Sequence, residues 1–220
     1  MRKLYMTPIS PFGRKVRIVL IEKGLDFERD EVRGMRPVQA IAALNPALTI
    51  PVLVDGDLTL FDSSVIVEYL FETYPNAGPD MSPPLVRAQV RPDQRWHDHK
   101  VLGITKVLME TAATMLIFRG VGLGPEQNVY LERHQKRLAS CLDWLEEQAT
   151  PAGFAPGWFS PMDIGLICAL GLIDVANKHR FEKDKPMVNW RGRPNLEHVV
   201  QIFSDRPSVQ DTSPAGIVPA

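Results

Sequence analysis

Cysteine is scarce: the 220 residues contain two, Cys141 and Cys168. Both lie in apolar helical stretches with neither C-x-x-C spacing nor neighbouring histidines, which argues against structural zinc and against a disulfide framework. A reducing, cytoplasmic setting is expected. An excess of one charge is also missing, since 25 Lys and Arg face 26 Asp and Glu for a net charge of −1. That balance offers no electrostatic footprint for nucleic acid or an anionic membrane. The N-terminus reaches Pro8 before a signal-peptide apolar core forms, and no later run reads as a membrane span, so a soluble, unexported chain is expected. His97 and His99 flank Asp98 instead of standing four apart, and no third ligand is evident, so no metal site is expected. Gly120-Val121-Gly122-Leu123-Gly124-Pro125 has no strand before it and no Lys-Ser or Lys-Thr after it. It reads as a helix break and not as a phosphate loop.

What is present is an ordinary globular composition, 45% apolar and 23% charged, in a chain long enough to bury a core without staples. Leu4 to Met6 is a short apolar run, and after Ser10-Pro11 the positions Phe12, Val16, Val19, Leu20 and Lys23 recur at helical spacing up to Gly24. Phe27 to Val32 alternates like a half-buried strand. A helical stretch over 37–44 ends at Asn45-Pro46. Ile50 to Val54 and Leu58 to Phe61 then flank Asp55-Gly56-Asp57, a hairpin signal. Ser63 is expected to cap a helix carrying Val65, Ile66, Tyr69, Leu70 and Tyr74 and ending at Pro75. The order is βαβαββα.

The composition then shifts to a Pro- and Gly-rich linker, and everything after it reads helical: 86–118, 126–149, 161–177 and 195–204. Domains are accordingly expected at 1–76 and 86–220, with a linker at 77–85. The segment from Arg206 onward holds three prolines and no periodicity, so an irregular tail is expected there.

Three places carry candidate chemistry. Ser10 stands at an N-cap with Pro11 at the first helical position, where amide donors and the positive helix dipole would stabilise a thiolate. A plain helix cap explains the same residues. Ile50-Pro51 opens a strand, and a cis proline there would leave the preceding backbone free to pair with a ligand; an ordinary trans proline on an edge strand is the alternative. Asp62-Ser63 puts a carboxylate and a hydroxyl at a helix start, a geometry suited to an α-amino acid head group and also to simple capping.

Taken together, in order and at their spacing, these residues resemble the glutathione transferase superfamily, in particular its serine and cysteine classes. Phe159-Ser160-Pro161-Met162-Asp163-Ile164 is similar to its capping box, and Pro194-Asn195-Leu196 with Arg206-Pro207-Ser208 to its closing pattern. The resemblance implies a thioredoxin-like glutathione-binding domain followed by an all-helical domain. It implies glutathione as co-substrate, an apolar electrophilic small molecule as acceptor, and a homodimer. By the same resemblance Ser10 activates the glutathione thiol, Ile50 before Pro51 pairs with the cysteinyl unit, and Asp62 and Ser63 hold the γ-glutamyl end. Arg36 falls where some members keep a lysine for the glycine carboxylate, and is otherwise a solvated arginine. Aligning on Arg17 puts the tyrosine used by other classes at Met6, one residue from Tyr5, which is expected in the core. Asp62 stands where Glu or Gln is usual, and Leu48-Thr49 where Gly-Lys is usual. Glutathione-dependent isomerisation, or a non-catalytic binding or interaction role, are the alternatives on the same scaffold.

Overall fold

The computed structural model describes residues 1–32, 41–75, 78–79, 81–87, 91–179 and 185–214. The strands are β1 (Arg2–Met6), β2 (Phe27–Glu31), β3 (Val52–Asp55) and β4 (Leu58–Phe61). The helices are α1 (Pro11–Glu22), α2 (Ser63–Thr73), α3 (Arg95–Gly120), α4 (Val129–Gln148), α5 (Pro161–His179), α6 (Pro194–Phe203) and α7 (Pro207–Gln210). They form two compact units. The first comprises Met1–Met81 with Pro207–Ser213, and the second is built around Ser82–Arg206.

The first unit is a mixed four-stranded sheet in the order β2-β1-β3-β4. β1 runs parallel to β2 and antiparallel to β3, which is antiparallel to β4. Alternation along β1 sends Leu4 and Met6 into the core, both fully buried, while Tyr5 points to the other face. Tyr5 is therefore half-buried, with the Lys3 ammonium 5.1 Å from its ring, and is not the core residue expected. The Gly56-Asp57 turn joins β3 to β4, with Asp55 paired to Leu58. Asp55 also anchors α2 to the sheet: its Oδ2 accepts from Arg2 Nε at 3.1 Å, Tyr69 Oη at 3.1 Å and Tyr74 Oη at 2.7 Å. Burial first, then the neighbouring Tyr74 hydroxyl and the Asp55 carboxylate, push the Tyr69 hydroxyl up to about 12. Of the helix expected over 37–44, residues 37–40 lie outside the described residues and 42–44 form a turn.

Helix α1 departs from the amphipathic pattern its basic residues suggest. Arg14, Lys15, Arg17 and Glu22 are all buried, alongside Val16, Ile18, Val19 and Leu20. Buried charges require partners, and residues 207–213 supply several. Arg14 donates from Nε to Thr212 Oγ1 (3.3 Å) and from Nη2 to Val209 O (3.1 Å), and Arg17 Nη2 donates to Asp211 O (2.9 Å). Ser208 Oγ donates to the Glu22 carboxylate. The irregular tail expected from the prolines is thus, up to Pro214, a short helix and turn with Ser208, Val209 and Thr212 buried. Pro207 opens that helix where a proline costs nothing.

The second unit is helical. α3 packs chiefly on α5 and α4, burying Val101, Leu108, Met109, Ala112 and Met115. Over 92–120 it is long and apolar enough to cross a membrane by length and composition, contrary to the expectation that no run is; here it is the central helix of this unit. It starts at Arg95 and not near 86, because Arg91, preceding Pro92, is held out of the α region (φ −103°, ψ 87°). α4 starts at Val129 because Asn128 Oδ1 accepts from Tyr130 N (2.9 Å) and Leu131 N (3.4 Å). Glu146 in turn caps α6, accepting from Asn195 N at 3.0 Å and Leu196 N at 2.9 Å.

The start of α5 is the most heavily buried polar cluster of this unit. Asp163 is completely buried and accepts from Ser160 N (2.9 Å), Ser160 Oγ (2.5 Å) and Phe154 N (3.0 Å), while Ser160 Oγ accepts from Asp163 N at 3.4 Å. This is a reciprocal capping box extended to a neighbouring turn. Gly153, at φ +96°, makes room: a Cβ there would sit 2.9 Å from Asp163 Oδ1. Burial pushes the Asp163 carboxyl up to about 6, against the hydrogen bonds from Ser160 and Phe154. The folded state then holds this proton more tightly than the unfolded chain, whose carboxyl titrates near 3.8. The group's contribution is full below that value and is lost as pH rises through about 6. Between pH 4 and 7 the stability of wild type relative to Asp163→Asn is expected to fall by on the order of 2 to 3 kcal/mol. Urea unfolding at successive pH values measures this; a difference that stays constant across the range would refute it.

Candidate functional site

The sheet register places three loops at one end of the first unit. Tyr5 pairs with Val52, and Val52 with Phe61. The chain therefore leaves β1 toward Ser10, enters β3 from Ile50 and leaves β4 into Asp62 at the same end. That end brings Ser10, Ile50, Pro51, Asp62 and Ser63 into one neighbourhood. Arg36 lies outside the described residues.

Ser10 has extended backbone (φ −64°, ψ 122°), and its Oγ accepts from Gly13 N at 3.2 Å, with Pro11 opening the helix. Its own N–H donates to Thr7 O at 3.1 Å. An oxygen that accepts from an amide keeps its hydroxyl hydrogen for donation. The first turn of α1 lies close against β1, for a Cβ on Gly13 would come within 3.0 Å of Met6 Cβ. The hydroxyl is thereby held at the positive end of a twelve-residue helix.

The Ile50–Pro51 peptide bond is cis. The loop before it is organised by Asn45, which is 1% exposed. Its Nδ2 donates to Thr49 O at 2.7 Å and to Thr49 Oγ1 at 3.2 Å, and its Oδ1 accepts from Ala47 N at 2.9 Å. The backbone joins in, with Asn45 N bonded to Ile41 O at 2.8 Å and Leu48 N to Asn45 O at 3.0 Å. Leu48 takes φ 56°, in the left-handed region that glycine prefers. In sequence Asn45 marks only the end of a helix; a buried amide reaching four residues ahead has no local signature.

At the third loop the cap is Asp62 and not Ser63, which was expected in that place. Asp62 adopts φ 67° and turns Oδ1 onto Ser64 N (2.7 Å) and Val65 N (3.3 Å). Asp tolerates this region better than most residues and is among the best N-caps, so one side chain solves both local problems. Ser63 becomes the first helical residue and is buried. Lys15 Nζ donates to Ser64 Oγ at 3.2 Å, tying α1 to the start of α2.

On α3, Met109 and Met115 are core while Trp96 is 73% exposed. His97 contacts Asp98 and Gln148, and Arg91 pairs with Asp98. Among the described residues no group of three His, Cys, Asp or Glu is placed to hold a metal.

Residues 4–79 match the family model of the glutathione S-transferase N-terminal domain. The chain is 35% identical over 147 residues to glutathione S-transferase 3 of Zea mays, covering 66% of this chain and 65% of that one. It is 42% identical over 90 residues to a stringent starvation protein A homolog of Coxiella burnetii, covering 40% of this chain and 42% of the relative. The matched stretch is thus less than half the length of the latter and just under two thirds of the former. A glutathione S-transferase from Methylobacillus flagellatus, solved with GSH bound, superposes with a TM-score of 0.75 at 25% identity, over 97% of this chain and 99% of that one.

The cap geometry makes a direct prediction. Asp62→Asn retains both the capping oxygen and the tolerance of positive φ, and is expected to keep stability within about 0.5 kcal/mol, whereas Asp62→Ala loses about 1 to 2 kcal/mol. Thermal or urea unfolding of the two variants distinguishes them, and equal losses would show that the cap contributes nothing.

Proposed function

The chain belongs to the glutathione S-transferase superfamily, and from that premise we propose that it activates the glutathione thiol for attack on a small apolar electrophile. The observation that carries this reading is the Ser10 hydroxyl at the N-terminus of α1, accepting from Gly13 N. Glutathione bound across the three loops would direct its sulfur toward this hydroxyl. The Ser10 O–H donates to the thiolate, and the helix dipole favours the negative charge, so the thiol loses its proton to solvent at a lower pH. Each pKa unit of lowering corresponds to about 1.4 kcal/mol. The thiolate sulfur then forms a bond to the electrophilic carbon, and the displaced group leaves with its electron pair. Ile50 pairs its backbone with the cysteinyl unit. Asp62 takes the γ-glutamyl ammonium and Ser63 the adjacent carboxylate at the start of α2. A cytoplasmic homodimer using glutathione as co-substrate and no metal completes the reading.

A second reading is a non-catalytic binding or interaction protein on the same scaffold. Two observations favour it. The Asp62 carboxylate is turned onto its own helix amides, Ser64 N and Val65 N, and one of the relatives carries the name stringent starvation protein A homolog.

Calorimetric titration of glutathione near neutral pH separates the two at the first step, with saturable binding at micromolar to millimolar concentration expected. Ser10→Ala is then expected to keep binding while the pKa of the bound thiol, followed by thiolate absorbance, rises and turnover falls severalfold. Asp62→Asn should weaken binding without moving that pKa. Unchanged turnover in Ser10→Ala favours the non-catalytic reading.

A further inference from the structure

Asn45 is a buried amide whose donors and acceptor all serve the five residues that lead into Ile50. The shortest of these bonds, 2.7 Å, goes from Nδ2 to the carbonyl oxygen of Thr49. That carbonyl shares a peptide plane with the N–H of Ile50, and the Thr49–Ile50 bond is not among the cis bonds of the described residues. In a planar trans peptide the C=O and the following N–H point in opposite directions. Drawing Thr49 O inward onto Asn45 therefore turns Ile50 N–H away from the buried amide.

The rest of the loop supports this constraint. Asn45 N is held by Ile41 O, Ala47 N by Asn45 Oδ1 and Leu48 N by Asn45 O, so the chain is pinned on both sides of Asn45. Leu48 is 46% exposed and sits at φ 56°. A branched apolar side chain is disfavoured in that conformation and wins little burial by adopting it, so surrounding contacts must impose it. The Asn45 bonds are those contacts.

We infer that Asn45 is a positioning residue for glutathione: through Thr49 O it orients the Ile50 N–H that pairs with the ligand backbone. This rests on the reading of Ile50 as a glutathione-binding residue. Asn45 itself does not touch the ligand, and the thiol is the business of Ser10 on a different loop. Losing Asn45 should therefore weaken binding without altering thiol activation.

The test uses the full chain and glutathione itself. Asn45→Ala is expected to raise the dissociation constant about tenfold, the equivalent of one hydrogen bond of about 1.4 kcal/mol. The pKa of the bound thiol should stay where wild type has it. Thr49→Val removes the 3.2 Å bond to Oγ1 but keeps the carbonyl, and should bind like wild type. Leu138→Ala, a core change in the helical unit, controls for lost stability and should also bind like wild type. If Asn45→Ala does not fold, Asn45→Ser, too short to reach Thr49 O but still offering an acceptor to Ala47 N, takes its place. Wild type that binds, with the Asn45 variant within twofold of it, overturns the inference alone. A Thr49→Val loss as large as that of Asn45→Ala overturns the peptide-plane argument. Wild type that does not bind overturns the glutathione reading and this inference with it.

Discussion

Helix α1 is buried on nearly every side, and the need to satisfy its charged groups governs much of the first unit. Ten of its twelve residues are buried, among them Arg14, Lys15, Arg17 and Glu22. A guanidinium removed from water without hydrogen bonds costs several kcal/mol, more than most single contacts return. Residues 207–213 meet that demand with two backbone carbonyls and two hydroxyls, although they lie almost two hundred positions away in sequence. The helix is thereby locked in place, and its N-terminus is presented at the end of the sheet where function is proposed.

The site is assembled from three loops that each solve a local backbone problem. Ser10 caps α1, Asp62 caps α2 from a left-handed conformation, and Asn45 ties down the approach to Pro51. The register Tyr5–Val52–Phe61 then delivers all three to one edge. Local capping and sheet pairing are ordinary folding devices. They place a hydroxyl, the backbone leading into Pro51 and a carboxylate within one neighbourhood, where the glutathione site is proposed.

The legibility of these features follows the range of the interactions that make them. The Gly56-Asp57 hairpin, the Ser10 cap and the Ser160–Asp163 box are set by neighbours within a few residues, and each could be read from its own stretch of chain. Asp62 and Ser63 are both good caps by residue type, and only the backbone torsion gives the role to Asp62 instead of the expected Ser63. Tyr5 turns to the face opposite Met6, as its one-residue offset implies, but that face leaves it half-buried and not in the core. Asn45 read as a helix stop, and nothing local marks it as the organiser of Thr49.

Sequence alone determined the periodicities, the turn chemistry and the order of motifs, which were enough for the βαβαββα order and the helical second half, and for a resemblance that implied the thioredoxin-like sheet and the superfamily. Such signals depend on side-chain spacing and backbone preference, which act over a turn of helix or a pair of strands. Tertiary structure decided what lies at long range: that the basic face of α1 is buried, that residues 207–213 fold onto it, and that three separated loops share one end of the sheet. Those outcomes depend on desolvation and on which buried polar groups find partners, and the partners are named only when the chain has closed on itself.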